Sequence, residues 1–298
     1  MLKYKGMRLG YIVVNRYYTD SGTEYAVRRL IEEGQKCGIR LEVVKSGMVE
    51  YGDEKSFDFN NLDASKKMPI LFWDKDTGYA LELERFGHKI INRPRAIDIC
   101  NDKIVTYQSL RGSKIKIPQT IVTPLVYDVC DGEDKEFIDL VESELKFPIV
   151  VKENVGSQGR QVYLASNRQE LEKLNKKLRH IPHHYQKFCG DNRNSGGDIR
   201  IYVVSGKVVA SVRRTNTADF RGNVNIGGAV TQLCESSAKA YNAVAVKVSK
   251  KLKLDYCAID FADTGGEPIL LEVNSNAYFE SAEKACGANI AGAILRLC

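Results

Sequence analysis

Apolar and polar positions change period several times along the chain, and each change marks an element. Leu9 to Val14 is an apolar run short enough for one buried strand, and Ser21 to Lys36 carries Ala26, Val27, Leu30 and Ile31 at helical spacing, so a βα unit opens the protein. Strands at Leu41 to Val44, Ile70 to Phe72 and Ile90 to Ile91, a polar loop rich in Asp and Asn, and a helix around Tyr79 to Phe86 continue the alternation. This alternation predicts a small parallel α/β domain over residues 1–95. No GxGxxG joins a strand to a helix, which leaves dinucleotide binding without support.

Beyond Pro94 the pattern predicts a helix over Ala96 to Leu110, a strand at Thr120 to Val122 and an amphipathic helix presenting Phe137, Leu140, Val141 and Leu145. A strand at Ile149 to Val151, a loop, a strand at Gln161 to Leu164 and a helix at Arg168 to Leu178 lead to a short strand, His184 to Phe188. A hairpin then turns at Ser205-Gly206, with Asp198 and Arg200 ahead of its first strand and Arg213 and Arg214 at the end of its second. The helix after Ser236 sets Tyr241, Val244, Ala245, Val248 and Leu252 in one stripe. The last segment, Ala277 to Cys298, reads as helical, with Ala291, Ile294 and Leu295 packed.

The stretch Asp255 to Asn276, DYCAIDFADTGGEPILLEVNSN, carries the most chemistry. Two apolar runs of period two flank Asp-Thr-Gly-Gly-Glu-Pro, the pattern of a β-hairpin. Ile259 and Phe261 face the core with Leu271 and Val273, while Asp260, Glu272 and Asn274 converge on the other face, with Asp260 opposite Glu272. Carboxylates this close repel unless a cation compensates them, and an oxygen-only set favours magnesium or manganese over zinc. Upstream, a strand delivers Lys152 into a loop with Gly156 and Gly159, whose amides can close on an anion without Cβ obstruction. Because this loop joins two strands, it differs from a P-loop and reads as a mobile phosphate cover. Arg213, Arg214 and Arg221 cluster without carboxylates nearby in sequence to match all three, which suggests phosphate or carboxylate ligands.

Composition narrows the classes. The chain has 298 residues, 43% of them apolar, enough for two domains, or one large one with a lid, with real cores. Its formal charge of +6 is spread along the sequence without a basic block, which favours small anionic ligands and gives no support for nucleic acid. The eight cysteines never approach CxxC spacing and read as reduced thiols of a cytoplasmic protein. No apolar stretch is long enough to span a membrane. His183 and His184 are adjacent and diverge on any regular element, which argues against a metal site there.

Taken together, NDK at Asn101 to Lys103, VVKENVGSQGRQV, GGDIR, DFRGN, NIGG, AIDF and LEVNSN occur in the order and approximate spacing of the ATP-grasp superfamily. The chain resembles in particular the RimK-type amino-acid ligases related to glutathione synthetase. The resemblance implies an α/β, ATP-grasp fold, in which two α+β subdomains over 96–298 grip ATP behind the small parallel pre-ATP-grasp domain. The lid subdomain would cover about 119–186 and the metal-binding subdomain about 187–298. It also implies that Lys103 and Lys152 reach the ATP phosphates and that Gly156, Ser157, Gln158 and Gly159 form the flexible cover. Gln186, Lys187 and Phe188 would line the adenine, and Asp198 would lie beside the ribose and purine. Asp260, Glu272 and Asn274 would hold two magnesium ions, with manganese as a substitute, and Arg213 and Arg221, with Lys152, would stabilise the acyl phosphate or anchor a carboxylate.

The expected partners are small-molecule carboxylate and amine substrates, a peptide or protein tail as an acceptor, and a second copy in a homo-oligomer. A small-molecule kinase and a non-catalytic ATP-binding regulator are the competing readings. Three departures leave the amino substrate open. Gln186-Lys187-Phe188 stands where Gln-Glu-Tyr is commoner, Ser275-Asn276-Ala277-Tyr278 replaces the Ser-Pro-Gly of ribosomal-protein-modifying members, and Asn225-Ile226 replaces their His-Arg pair.

Overall fold

A computed structural model describes residues 7–47, 62, 68–127, 135–190, 196–217, 219–222 and 228–298. Most of the Asp- and Asn-rich loop, and Asn223, Asn225 and Ile226 of the expected motifs, lie outside the described residues.

The first four strands, β1 (Arg8–Val14), β2 (Ile39–Lys45), β3 (Pro69–Trp73) and β4 (Lys89–Ile91), form a parallel sheet in the order β2-β1-β3-β4. Helix α1 (Ser21–Lys36) starts at Asp20, whose carboxylate accepts from the Thr23 amide at 2.8 Å, and α2 (Thr77–Arg85) starts at Asp76 in the same way. One face of the sheet packs Tyr11, Val13 and Phe72 against Tyr79 and Leu83 of α2.

The expected single helix over 96–110 is two, α3 (Pro94–Asn101) and α4 (Lys103–Leu110). Asp102 breaks it with φ −109° and ψ 121°, and its side chain caps α4 by accepting from Ile104 and Val105. Lys103 is thereby placed in the first turn of α4, and its amide donates to the Asn154 carbonyl at 3.0 Å.

An antiparallel sheet of order β5-β8-β6-β7 follows, made of β5 (Thr120–Val122), β6 (Ile149–Glu153), β7 (Val162–Ala165) and β8 (His183–Lys187). Helices α5 (Lys135–Leu145) and α6 (Arg168–Lys177) cover one face, burying Ile138, Val141, Leu145 and Leu171 against Ile149, Val151 and Tyr185. Leu140, expected in that stripe, is exposed, because α5 is anchored through Ile138 and Val141 instead.

The second antiparallel sheet has the order β11-β10-β9-β12-β13, from β9 (Gly196–Val204), β10 (Lys207–Asn216), β11 (Ala229–Gln232), β12 (Tyr256–Ala262) and β13 (Ile269–Asn274). Asp198 and Arg200 lie inside β9 rather than ahead of it, because the strand runs on to pair Asp198 with Arg214 and Arg200 with Val212. Helix α7 (Glu235–Leu252) packs Tyr241, Ala245 and Val248 on one face. The other face, through Tyr202, Val212, Tyr256 and Ala258, shares one core with Leu30 of α1 and with the C-terminal helices α8 (Glu280–Cys286) and α9 (Ile290–Leu295). The sheet changes near residue 95, but on this face the hydrophobic core runs across.

Asn92 fastens that junction. Its buried side-chain amide donates to the carbonyls of Tyr256 and Ser275, both at 2.7 Å, and its oxygen accepts from the amides of Asp255 and Tyr256 at 2.7 and 2.9 Å. Among the described residues the cysteines are free and no helix is long and apolar enough to cross a membrane.

Candidate active site between the two antiparallel sheets

Strand register builds a row of charges across the second sheet. In the β12-β13 hairpin Asp260 stands opposite Glu272, and the next pair is Phe261 with Leu270, so Leu271 is the extra residue of a β-bulge. The bulge corrects the expected facing, since Leu270 rather than Leu271 enters the core, and Leu271 lines the cleft beside Glu272. On the other side of β12, Arg200 of β9 stands opposite Asp260 and grips it bidentately, Nε to Oδ1 and Nη2 to Oδ2 both at 2.6 Å. Arg214 of β10 does the same to Asp198 at 2.5 and 2.6 Å and reaches Asp260 Oδ2 at 3.0 Å. Burial pushes the Asp260 carboxyl up, and the two guanidiniums more than offset this, holding it below the usual range.

The arginine cluster is therefore matched after all. Arg213 pairs with Asp263 at 2.6 Å, Arg214 with Asp198 and Asp260, and Arg221 with Asp219 at 2.7 Å. Asp198, Asp260 and Asp263 are distant or on other strands, which is why proximity in sequence did not reveal them. Arg221 also donates from Nη1 to the Gly159 carbonyl at 2.6 Å, tying the glycine loop to the second sheet.

The lysines come from two elements. Lys103 Nζ lies 3.4 Å from Glu272 Oε1, and Lys152 is buried on β6. Burial and the Lys103 ammonium push Lys152 down to about 8. The loop after β6 takes left-handed backbone at Gln158 and Gly159, with φ of 59° and 73°, and a Cβ on Gly156 would come within 2.6 Å of the Gln161 side chain. On β8, Gln186 is buried and donates to Tyr107 Oη at 3.1 Å and Thr120 Oγ1 at 3.0 Å, so its side-chain amide braces the strand.

Two cavities meet at this row. The smaller, about 300 Å³, lies between the two antiparallel sheets and is lined by Lys103, Lys152, Gly156, Gly159, Lys187 and Phe188. Asp198, Asp260, Arg221 and Gln186 complete its wall. The larger, about 860 Å³, opens toward the parallel sheet and takes in Gln158, Asn274 and Arg200. Ser157, Arg214 and Glu272 line both. Arg213 lines neither, because period two turns it to the opposite face of β10 from Arg214.

The sequence placed Arg214 in an anion-binding cluster without giving it a role, and it gave Arg200 no place in the site. The period-two pattern of β9 puts Asp198 and Arg200 on one face, which was available as a signal, but the pairing of β9 with β12 spans two intervening strands and a helix.

The residues fit a magnesium ion. Asp260, Glu272 and Asn274 offer hard oxygen ligands side by side, and because no group of three or more His, Cys, Asp or Glu among the described residues is placed to hold a metal ion, substrate phosphates would have to complete its shell. Magnesium is held in this way, by one or two carboxylates with substrate phosphates completing its shell.

A family model described as the RimK-like ATP-grasp domain matches residues 100–298. Beta-citrylglutamate synthase B of Homo sapiens is 32% identical over 226 residues, which cover 74% of this chain and 55% of that protein. The chain thus spans about half the length of that relative. A protein named probable alpha-L-glutamate ligase from Halorhodospira halophila (strain DSM 244 / SL1) is 30% identical over 285 residues, covering 91% of this chain and 90% of the relative. Among solved structures, D-alanine--D-alanine ligase from Bacillus anthracis complexed with ATP superposes with a TM-score of 0.69 at 18% identity, covering 98% of each chain.

Proposed function

This chain belongs to the RimK-like ATP-grasp family, and from that premise we propose that it is an ATP-dependent carboxylate-amine ligase. It would join a glutamate-like amino acid to an amino acid, peptide or small-molecule acceptor with release of ADP and phosphate. The observation that carries this reading is the meeting of the two cavities at Arg214 and Glu272, one lined by lysines and a glycine loop, the other open to a substrate.

ATP would supply the phosphoryl group that converts an unreactive carboxylate into an acyl phosphate, and magnesium, with manganese as a substitute, would screen the phosphate charge. The chain's own residues position and stabilise. Lys152 and Lys103 place two ammonium groups on the phosphate side. Asp260, Glu272 and Asn274 would hold the metal ion, and Arg200 and Arg214 keep Asp260 ionised and in place. Arg214, in both cavities, is the guanidinium best situated to neutralise charge at the reacting carboxylate. Arg221, anchored on Asp219, holds the glycine loop closed through Gly159 and so keeps water from a reactive acyl group. Gln186, Lys187 and Phe188 would border the base and Asp198 the ribose.

The test is ADP release from Mg²⁺-ATP against single amino acids, pairs and peptides, with products identified by mass. Release that needs two substrates, with a product lighter by one water than their sum, establishes the ligase. A phosphate ester instead establishes a kinase, and no release despite nucleotide binding favours the regulatory reading.

A further inference from the structure

Successive residues of β13 are held from outside the second sheet, and each hold comes from the segment Lys103 to Lys116. The Leu270 amide donates to the Lys116 carbonyl at 2.9 Å, the Leu271 carbonyl accepts from Tyr107 Oη at 2.6 Å, and Glu272 Oε1 lies 3.4 Å from Lys103 Nζ. β13 is the last strand of its sheet, and its outer edge is paired with this segment at Lys116. Lys103 and Tyr107 stand four residues apart on α4 and so share a face, which suits them to neighbouring residues of one strand.

The Tyr107 hydroxyl also reaches the lid. Besides donating to Leu271 it accepts from Gln186 Nε2 of β8 at 3.1 Å, so one oxygen bridges the strand proposed to border the base and the residue that precedes Glu272. Leu271 is the extra residue of the β-bulge, where the ladder with β12 is interrupted and the facing of the next side chain is decided. The phenol is buried, and burial pushes it well above its ordinary value, so it remains a donor at every working pH. The Gln186 amide also donates to Thr120 Oγ1 at 3.0 Å, a contact within the lid sheet.

We infer that Tyr107 is a positioning residue for the metal site, its hydroxyl pinning the bulge at Leu271 and so aiming the Glu272 carboxylate into the cleft. This rests on the reading of Glu272 as a metal ligand. Tyr107 lines neither cavity, so it acts through Leu271 and not by contact with a ligand. Without the hydroxyl, the carbonyl beside Glu272 loses its donor and the bulge is free to settle elsewhere, while Lys103, Lys152 and the glycine loop keep their places. The loss therefore falls on metal binding and spares the nucleotide.

The experiment measures AMPPNP affinity of the full chain by calorimetry, with Mg²⁺ and again in EDTA, and takes the ratio of the two as the gain from metal. Tyr107→Phe, which removes one oxygen and keeps the ring, is expected to cut that gain about tenfold while the affinity in EDTA stays within about twofold. Thr120→Val releases Gln186 on its other side and should leave the gain unchanged, and Glu272→Gln should abolish it. A gain that survives Tyr107→Phe but not Glu272→Gln overturns the inference and leaves the metal reading standing. So does a Tyr107→Phe protein that loses affinity equally with and without metal, since the residue is then structural only. Equal loss of gain in Tyr107→Phe and Thr120→Val also overturns it, because loosening of β8 then accounts for both. A gain that survives Glu272→Gln, or failure of AMPPNP to bind, overturns the metal reading and the inference together.

Discussion

The two cavities that meet at Glu272 are built on different plans. In the smaller, Arg214 sits on Asp198 across strand register before any ligand arrives. In the larger, two cations from separate segments, Lys75 and Arg160, line the wall outside the network of ion pairs. Charges of the first kind hold a shape, because breaking one pair strands its partner in a buried site. Those of the second kind add little to the fold and are free to spend their whole interaction on a ligand. The difference predicts which substitutions cost stability and which cost only turnover.

Glu272→Gln gives the largest expected loss of turnover. Glu272 is partly exposed and makes one ion pair, to Lys103 at 3.4 Å, so the fold should keep its melting temperature while ADP release falls about a thousandfold. Unchanged turnover would remove Glu272 from the metal set. Arg214→Met is the contrasting case. It leaves Asp198 buried with no guanidinium and takes one of two from Asp260, so unfolding free energy should drop by about 3 kcal/mol along with activity. A melting curve that does not move would show that the paired charges of the smaller cavity are not structural.

The same contrast explains what could be read from the sequence. The hairpin, its facing acids and the glycine loop are local, and their periodicity gave the elements within a residue or two. Lys152 and Gly159 belong to contiguous motifs. Lys75 and Arg160 line one cavity only after two distant stretches are brought together, and no period or spacing encodes that. The break at Asp102 and the bulge at Leu271 were invisible for another reason, since each is one residue overriding a longer pattern, by capping in the first case and by insertion in the second. Period two also separates Arg213 from Arg214, yet which of them faces the cleft depends on the pairing of β10 with β9.

Lys152 provides a pH test of the smaller cavity. Its folded value of about 8 lies below the usual 10.5, so below about 8 it is an ammonium able to meet phosphate and above it is a neutral amine. Nucleotide affinity should therefore decline as pH rises through about 8, by up to tenfold per unit, and binding near that pH should take up a proton, measurable by calorimetry in buffers of different ionisation enthalpy. Stability of the nucleotide-free protein should move the other way. Between about 8 and 10.5 the unfolded chain binds more protons at this position than the folded one, so stability rises with pH over that window. Lys152→Met should flatten both profiles.

The smallest effect is expected one residue from one of the largest. Arg213 pairs with Asp263 at 2.6 Å, but its side chain is 40% exposed and it lines neither cavity. A pair with the arginine this exposed contributes about 0–1 kcal/mol, so Arg213→Ala should shift the melting temperature little and change ADP release by less than about threefold. Both arginines come from one strand and both are ion-paired, so sequence and partner type do not separate them. Only the face of β10 does. If Arg213→Ala instead cuts turnover as deeply as Arg214→Met without lowering stability, then the reacting carboxylate is approached from the Asp263 side, and the junction of the two cavities is not where the chemistry happens.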